Sequence, residues 1–179
     1  MPALPPNGAV IPCSALAINT PLQIRNALMT VDFRGDWKHR VDPDPNDPNS
    51  SVRLRLVGFK MTAELPGALD DQRGGGDITI KQSDVDVAEV GLLTLTQESP
   101  PRYECALMMS PLTMIVNQPG SELLVLSTKD TFRLHGRLTK YPPRGDLFQL
   151  QDPVDFVDPD SPDTVVATIQ KFPVKVASL

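Results

Sequence analysis

The chain has 179 residues, of which 40% are hydrophobic, 22% charged and 5% aromatic, with 19 prolines and 11 glycines. That length suits one domain, or a domain with an arm, able to bury about 70% of the surface its unfolded chain exposes without help from metals or disulfides. Seventeen Lys and Arg against 22 Asp and Glu leave a net charge of −5, which disfavours a nucleic-acid partner because phosphate binding draws on many cationic contacts.

Residues 1–21 carry Pro2, Pro5, Pro6, Pro12 and Pro21 among small apolar residues, and predict an extended arm ahead of one all-β domain over residues 22–179. The first twenty residues lack a basic leader and their apolar run is broken by proline, so they do not resemble a secretory signal and favour a cytoplasmic protein. No stretch is apolar for the 18 to 20 residues of a membrane-spanning helix. From Leu22 the apolar residues alternate through Ile24 and Leu28 to Val31 and Phe33, a strand pattern. The stretch 36–51, with Pro43, Pro45 and Pro48 among Asp and Asn, reads as a long polar loop. Val52, Leu54 and Leu56 then alternate with Arg53 and Arg55, and the apolar parity switches to Val57, Phe59, Met61, Ala63 and Leu65 across Gly58, which predicts a bulge near Val57 and Gly58.

Residues 66–77, with Gly74, Gly75 and Gly76, read as a flexible hairpin connection. Ile78 and Ile80, Val85 and Val87, and Leu93 and Leu95 supply further short runs. The run from Tyr103 through Cys105 and Leu107 to Met109 is cleanly alternating, as are Leu124 and Leu126, then Phe132, Leu134 and Leu138. Residues 147–150, 154–157, 165–169 and 172–176 complete the series. Eight to ten short strands between Pro, Gly, Asn and Asp turns, with no sustained helical period, predict an antiparallel β-sandwich, a closed or partly open β-barrel being the alternative. Seventeen of the 22 acidic residues are Asp, a turn former, which fits strands and loops better than helices.

Two chemical constellations stand out. Asp42, Asp44 and Asp47 in the phrase VDPDPNDP, with Asp158 and Asp160 in VDPDSPD, supply oxygens of the kind calcium takes, although the loop lacks the glycine and distal Glu of helical calcium loops and its prolines stiffen it. The plainer expectation is a pair of solvated turns and no cofactor. Arg25, Arg53, Arg55, Arg133 and Arg137 fall outward by parity and would form a basic stripe for a partner of opposite charge, or simply a solvated sheet face. Cys13 and Cys105 are too few for a disulfide framework or a zinc site and read as reduced thiols. His39 and His135 have no ligand-spaced neighbours, and His135 is expected outside, beside Arg133 and Arg137. No nucleophile elbow or phosphate loop occurs. Arg34-Gly35-Asp36 and Arg144-Gly145-Asp146 are adhesion-type tripeptides, better explained as turn chemistry.

The reading preferred on sequence is a non-catalytic interaction domain that assembles with itself or a larger complex. Its arm would lie along a neighbour's sheet edge, with Val10, Ile11 and Leu16 setting register. A binding protein for a small apolar ligand in the sandwich or barrel interior is the second reading, and requires an enclosed space. A small β-barrel isomerase or cyclase is the third. It would need Glu64, Glu104, Asp86 or a histidine to face a pocket.

Overall fold

A computed structural model describes residues 4–65, 76–82, 90–109, 111–120 and 122–179. Among them every regular element is a strand. In chain order these are β1 (Val10–Ile24), β2 (Ala27–Pro43), β3 (Ser51–Glu64), β4 (Asp77–Gln82), β5 (Gly91–Glu98), β6 (Pro101–Met109), β7 (Leu112–Asn117), β8 (Leu124–Thr128), β9 (Phe132–Leu138), β10 (Arg144–Leu150), β11 (Val154–Asp158), β12 (Ser161–Ile169) and β13 (Val174–Ser178). All pair antiparallel in one 13-stranded sheet ordered β12, β11, β8, β7, β4, β3, β2, β1, β13, β10, β9, β6, β5.

Two further pairings, β12 with β1 and β3 with β5, turn this sheet back on itself. Two rings result, which share the long strands β1, β2 and β3. The first ring adds β4, β7, β8, β11 and β12, and the second adds β5, β6, β9, β10 and β13. The division falls partway along the shared strands: Leu22–Ile24 of β1 face β12, whereas Cys13–Leu16 face β13. Likewise Ser51–Leu54 of β3 pair with β5 and Lys60–Glu64 pair with β4. Closure satisfies backbone groups that an open sheet would leave at its edges. The ring-like antiparallel sheet fits the sandwich-or-barrel expectation.

The central strand β2 keeps one parity along its whole length. Val31, Phe33, Trp37, His39 and Val41 are buried, while Asp32, Arg34, Asp36, Lys38 and Arg40 are exposed. Its neighbours hold the same inward face only by slipping a residue. On β3 the slip leaves Val57 unpaired beside Gly58, the bulge that the parity switch predicted. On β1 it falls between Ala17 and Thr20, where Asn19 takes φ 56°, a left-handed conformation that Asn tolerates better than most residues. At Gly35 a Cβ would strike the Lys60 carbonyl oxygen of β3, so only glycine lets the two strands approach there.

Three departures from the sequence expectation concern these shared strands. Residues 10–21, expected as an arm, lie in β1, a strand paired with β2, β12 and β13, because Pro12 and Pro21 take positions that the ladder tolerates while Ile11, Cys13, Ala15 and Ala17 supply a buried face. The segment from 36 onward, expected as loop, continues as strand to Pro43, since Trp37, His39 and Val41 keep the buried period and the loop starts only at Asp44. Arg34-Gly35-Asp36 therefore lies mid-strand and not in a turn. Val85 and Val87, the Gly74-Gly75 hairpin and Asp86 lie outside the described residues.

The core runs through both rings. At the waist Phe172, in the connection from β12 to β13, meets Phe132 at 5.2 Å and 84° and Phe33 at 5.9 Å and 52° between ring centroids. Such tilted, edge-on contacts suit the aromatic quadrupole, and each fully buried Phe contributes about 1.5–3 kcal/mol by leaving water.

Candidate functional site

Alternation along β2 carries one side chain inward that has no counterpart elsewhere in the core. His39 is 3% exposed, and its Nε2 is buried with no hydrogen-bond partner. It sits opposite Ile11 of β1 and Leu56 of β3 within the second ring. The Trp37 ring stands edge-on to it at 6.4 Å, and Trp37 in turn stacks on Phe59 at 5.7 Å and 12°. Burial removes water from the imidazolium form and pulls the His39 pKa down to about 4, so the ring is neutral at physiological pH.

Three further groups of the second ring, Cys13, Cys105 and Tyr141, are held in their uncharged forms. Cys13 on β1 and Cys105 on β6 lie four strands apart whichever way the ring is followed, so their side chains point inward from opposite walls. Burial raises the Cys13 thiol to about 11. It raises Cys105 further, with Cys13 adding to the rise, and it lifts the Tyr141 phenol in the connection from β9 to β10, to which both thiols contribute. Protonated thiols are poor nucleophiles. The arrangement is equipped to exchange hydrogen bonds and not to carry charge.

The residues singled out from sequence are dispersed. Arg25 occupies the tight turn between β1 and β2 with φ 53°, its N–H donating to the Val166 carbonyl at 2.7 Å. Arg53 and Arg55 lie on β3, while Arg133 and Arg137 lie on β9, with β5 and β6 between them. Arg55 pairs with Asp42 at 3.1 Å, Arg40 pairs with the same carboxylate at 3.0 Å, and Arg53 reaches Asp44 at 3.6 Å. The hydrogen bond from Arg40, with help from Arg55, holds the Asp42 carboxyl below its ordinary value. Val10 is exposed, Ile11 buried and Leu16 half-buried, all within β1.

The two aspartate loops stand at opposite ends of the molecule. Asp42 closes β2, whereas Asp158 and Asp160 flank the β11–β12 turn beyond the other end of the same strand, about 50 Å of extended chain away. In each loop one carboxylate also accepts from the loop's own backbone: Asp44 Oδ1 accepts the Asn46 N–H at 3.1 Å and Asp158 Oδ1 accepts the Asp160 N–H at 2.9 Å. Asp47 is exposed, and its carbonyl accepts the Ser51 N–H at 3.0 Å. Among the described residues no three His, Cys, Asp or Glu side chains are grouped to hold a metal.

Two clefts open on the outer face of the shared strands. One of about 760 Å³ is lined by Arg34, Thr62, Glu64, Asp77 and Thr79, and one of about 580 Å³ by Leu16, Arg34, Asp36 and Lys175. Glu64 thus belongs to an exposed surface, and Glu104 on β6 is exposed as well, opposite Arg137 of β9. His135 is half-buried between Ala106 and Gln149.

No family model and no curated protein matches the chain. Among solved structures it is similar to DynF from the dynemicin biosynthesis pathway of Micromonospora chersina, with a TM-score of 0.74 and 19% identity over 99% of this chain and 83% of that one. At that identity the likeness is one of fold. No helix among the described residues is long and apolar enough to cross a membrane.

Sequence reasoning looked past His39. The signal was present, since His39 continues the odd-numbered series Val31, Phe33, Trp37 and Val41, but the prolines after Val41 made the whole stretch resemble a loop.

Proposed function

We propose that this protein binds a small, mostly apolar molecule inside the second ring, with His39 meeting the molecule's polar end. The observation that carries this reading is the buried Nε2 without a partner. More than nine in ten buried polar groups in proteins are paired, and leaving one unpaired costs about 1–3 kcal/mol. A partner that the chain itself does not supply removes that cost. The side chains nearest to it, Trp37, Ile11, Leu56 and Cys13, are apolar or weakly polar, the kind of residues that line small-molecule sites with a few placed polar groups. DynF comes from a biosynthesis pathway, and a small-molecule role here is in keeping with a neighbour of that kind.

We prefer this to assembly through an N-terminal arm, because Val10–Leu16 are engaged within β1, paired with β2 and in part with β13. Arg53 and Arg55 are likewise held by the protein's own aspartates.

The test is to extract the natively purified protein with organic solvent, look for a co-purifying compound by mass spectrometry, and follow the melting temperature on adding hydrophobic compounds. A bound compound, or a concentration-dependent rise in melting temperature, is the expected result. A clean extract together with a melting temperature that no compound moves removes the reading.

A further inference from the structure

Pairing sets Arg34, Leu16 and Lys175 in one row across three neighbouring strands, since Leu16 of β1 stands opposite Arg34 of β2 on one side and Lys175 of β13 on the other. The two exposed cations are two strand spacings apart, about 10 Å between backbones. Both line the outer cleft of about 580 Å³, whose apolar lining is Ala15, Leu16 and Ala177. In a chain of net charge −5, this cleft holds two cations and a single carboxylate, Asp36. Asp36 in turn stands opposite Lys60 of β3. Among the described residues the ion pairs gather at Asp42 and Asp44, and neither Arg34 nor Lys175 takes part in one.

The backbone beside the cleft is shaped as well. β10 bulges between Arg144 and Asp146, which pair with Ala177 and Val176, so Gly145 is left without a partner on β13 and takes φ 85°. Glycine holds that conformation without strain, and bulges recur next to binding sites, where they re-aim the chain. On the β2 side, Gly35 is the residue that the approach of the Lys60 carbonyl requires. The two Arg-Gly-Asp tripeptides, 110 residues apart in the chain, therefore meet at one place: Arg34, Gly35 and Asp36 line the cleft from one side and Gly145 from the other.

We propose that this cleft binds a small carboxylate with an apolar body, an ionised aliphatic or aromatic carboxylic acid, independently of the interior of the second ring. Its carboxylate lies between Arg34 and Lys175, where a guanidinium presents paired donors to two oxygens and an ammonium adds a third. Its body packs on Ala15, Leu16 and Ala177. Two cations less one carboxylate leave the lining at +1, which a monoanion balances and a phosphate dianion exceeds. The volume is of the order that small-molecule sites have.

The full chain, labelled with ¹⁵N, would be titrated at pH 7 with hexanoate, which is ionised there, and separately with 1-hexanol and inorganic phosphate, following the amide signals of Leu16, Gly35 and Gly145. Hexanoate is expected to shift all three to saturation, to bind more tightly than hexanol or phosphate, and to bind less tightly as salt is raised. Arg34→Gln and Lys175→Gln should each weaken hexanoate about fivefold, the value of one partly screened charge contact. Lys81→Gln, which removes the same charge from β4 outside the cleft, should leave it unchanged. Circular dichroism and melting of the three variants establish that they fold.

Hexanol or phosphate binding as tightly as hexanoate overturns the assignment, as does a loss in Lys81→Gln equal to that in Arg34→Gln. Hexanoate shifts confined to Ile11 and Leu56, inside the second ring, also count against the cleft. None of these results bears on the proposed function, which stands or falls on the co-purifying compound and the melting temperature.

Discussion

The two rings are built from the same three long strands, yet they resolve the problem of polar groups in opposite ways. In the first ring the interior is Leu22, Val31, Ile78, Ile80, Leu112, Met114, Leu126 and Phe156, and the buried hydroxyl of Thr20 is satisfied by the backbone three residues earlier. In the second ring His39, Cys13, Cys105 and Tyr103 are buried among the aliphatic side chains, and His39 has an atom with nothing to bond. A core whose only task is stability does well to omit such groups, as the first ring largely does. The contrast teaches that polarity inside the second ring is a feature of that ring and not of the fold.

The contrast is broken most severely by emptying the first ring. Phe156→Ala on β11 should remove about 3–5 kcal/mol from the unfolding free energy, since a fully buried ring is lost and a close-packed interior refills only in part. Urea denaturation of wild type and variant measures it. A loss below about 1 kcal/mol would mean that the first ring is as adaptable as the second, and the comparison would lose its first half.

Next in size is a pH effect confined to the second ring. In the unfolded chain His39 titrates near its ordinary 6.5, whereas in the folded protein burial lowers it to about 4. The unfolded state therefore binds the additional proton between those values, so the contribution is fully present above about pH 6.5, declines as the pH falls, and is lost by about pH 4. The full effect is about 3 kcal/mol. His39→Leu should flatten that part of the stability profile and, at pH 7, be neutral or stabilising, because it removes an unpaired polar atom. A profile identical in the two proteins would show that His39 is hydrated in the folded state.

A third measurement asks how tightly the second ring is filled. A Cβ on Gly136 of β9 would stand 2.9 Å from the Phe148 ring of β10. Gly136→Ala should therefore cost about 1–3 kcal/mol through displacement of that ring. An outcome near zero, read as an unchanged denaturation midpoint, would indicate spare room beside Phe148.

Much of the architecture could be read from period-two alternation alone. The bulge at Val57 and Gly58, the outward placement of Arg133 and Arg137, and the inward run from Tyr103 to Met109 all follow from parity, which is a local property of extended chain. Where local composition and long-range pairing disagreed, composition misled. Pro12 and Pro21 suggested an arm, yet β1 lies between β2 on one side and β13 and β12 on the other, and those last two partners come from the far end of the chain. Ring closure is likewise invisible locally, since the contacts of β12 with β1 and of β3 with β5 join segments that nothing in either sequence marks as partners. The Arg stripe failed to assemble for the same reason: parity fixes which face a side chain takes, not which strand stands beside it.

The smallest expected effect lies at the outer end of the second ring, where Arg40 and Arg55 share Asp42. Asp42→Ala should change stability by less than about 1 kcal/mol, because solvent screens the pair and the arginines regain hydration. The same geometry bears on calcium. With its carboxylate already held by two guanidinium groups, and with Asp158 and Asp160 at the opposite end, Asp42 offers a cation too few free oxygens for the six to eight that calcium takes. Calcium or a chelator should accordingly leave the melting temperature of wild type and Asp42→Ala unchanged. A calcium-dependent rise in wild type that Asp42→Ala abolishes would place a cation in the loop, make the ion pairs a resting arrangement that metal displaces, and give the second ring a charged neighbour that its interior lacks.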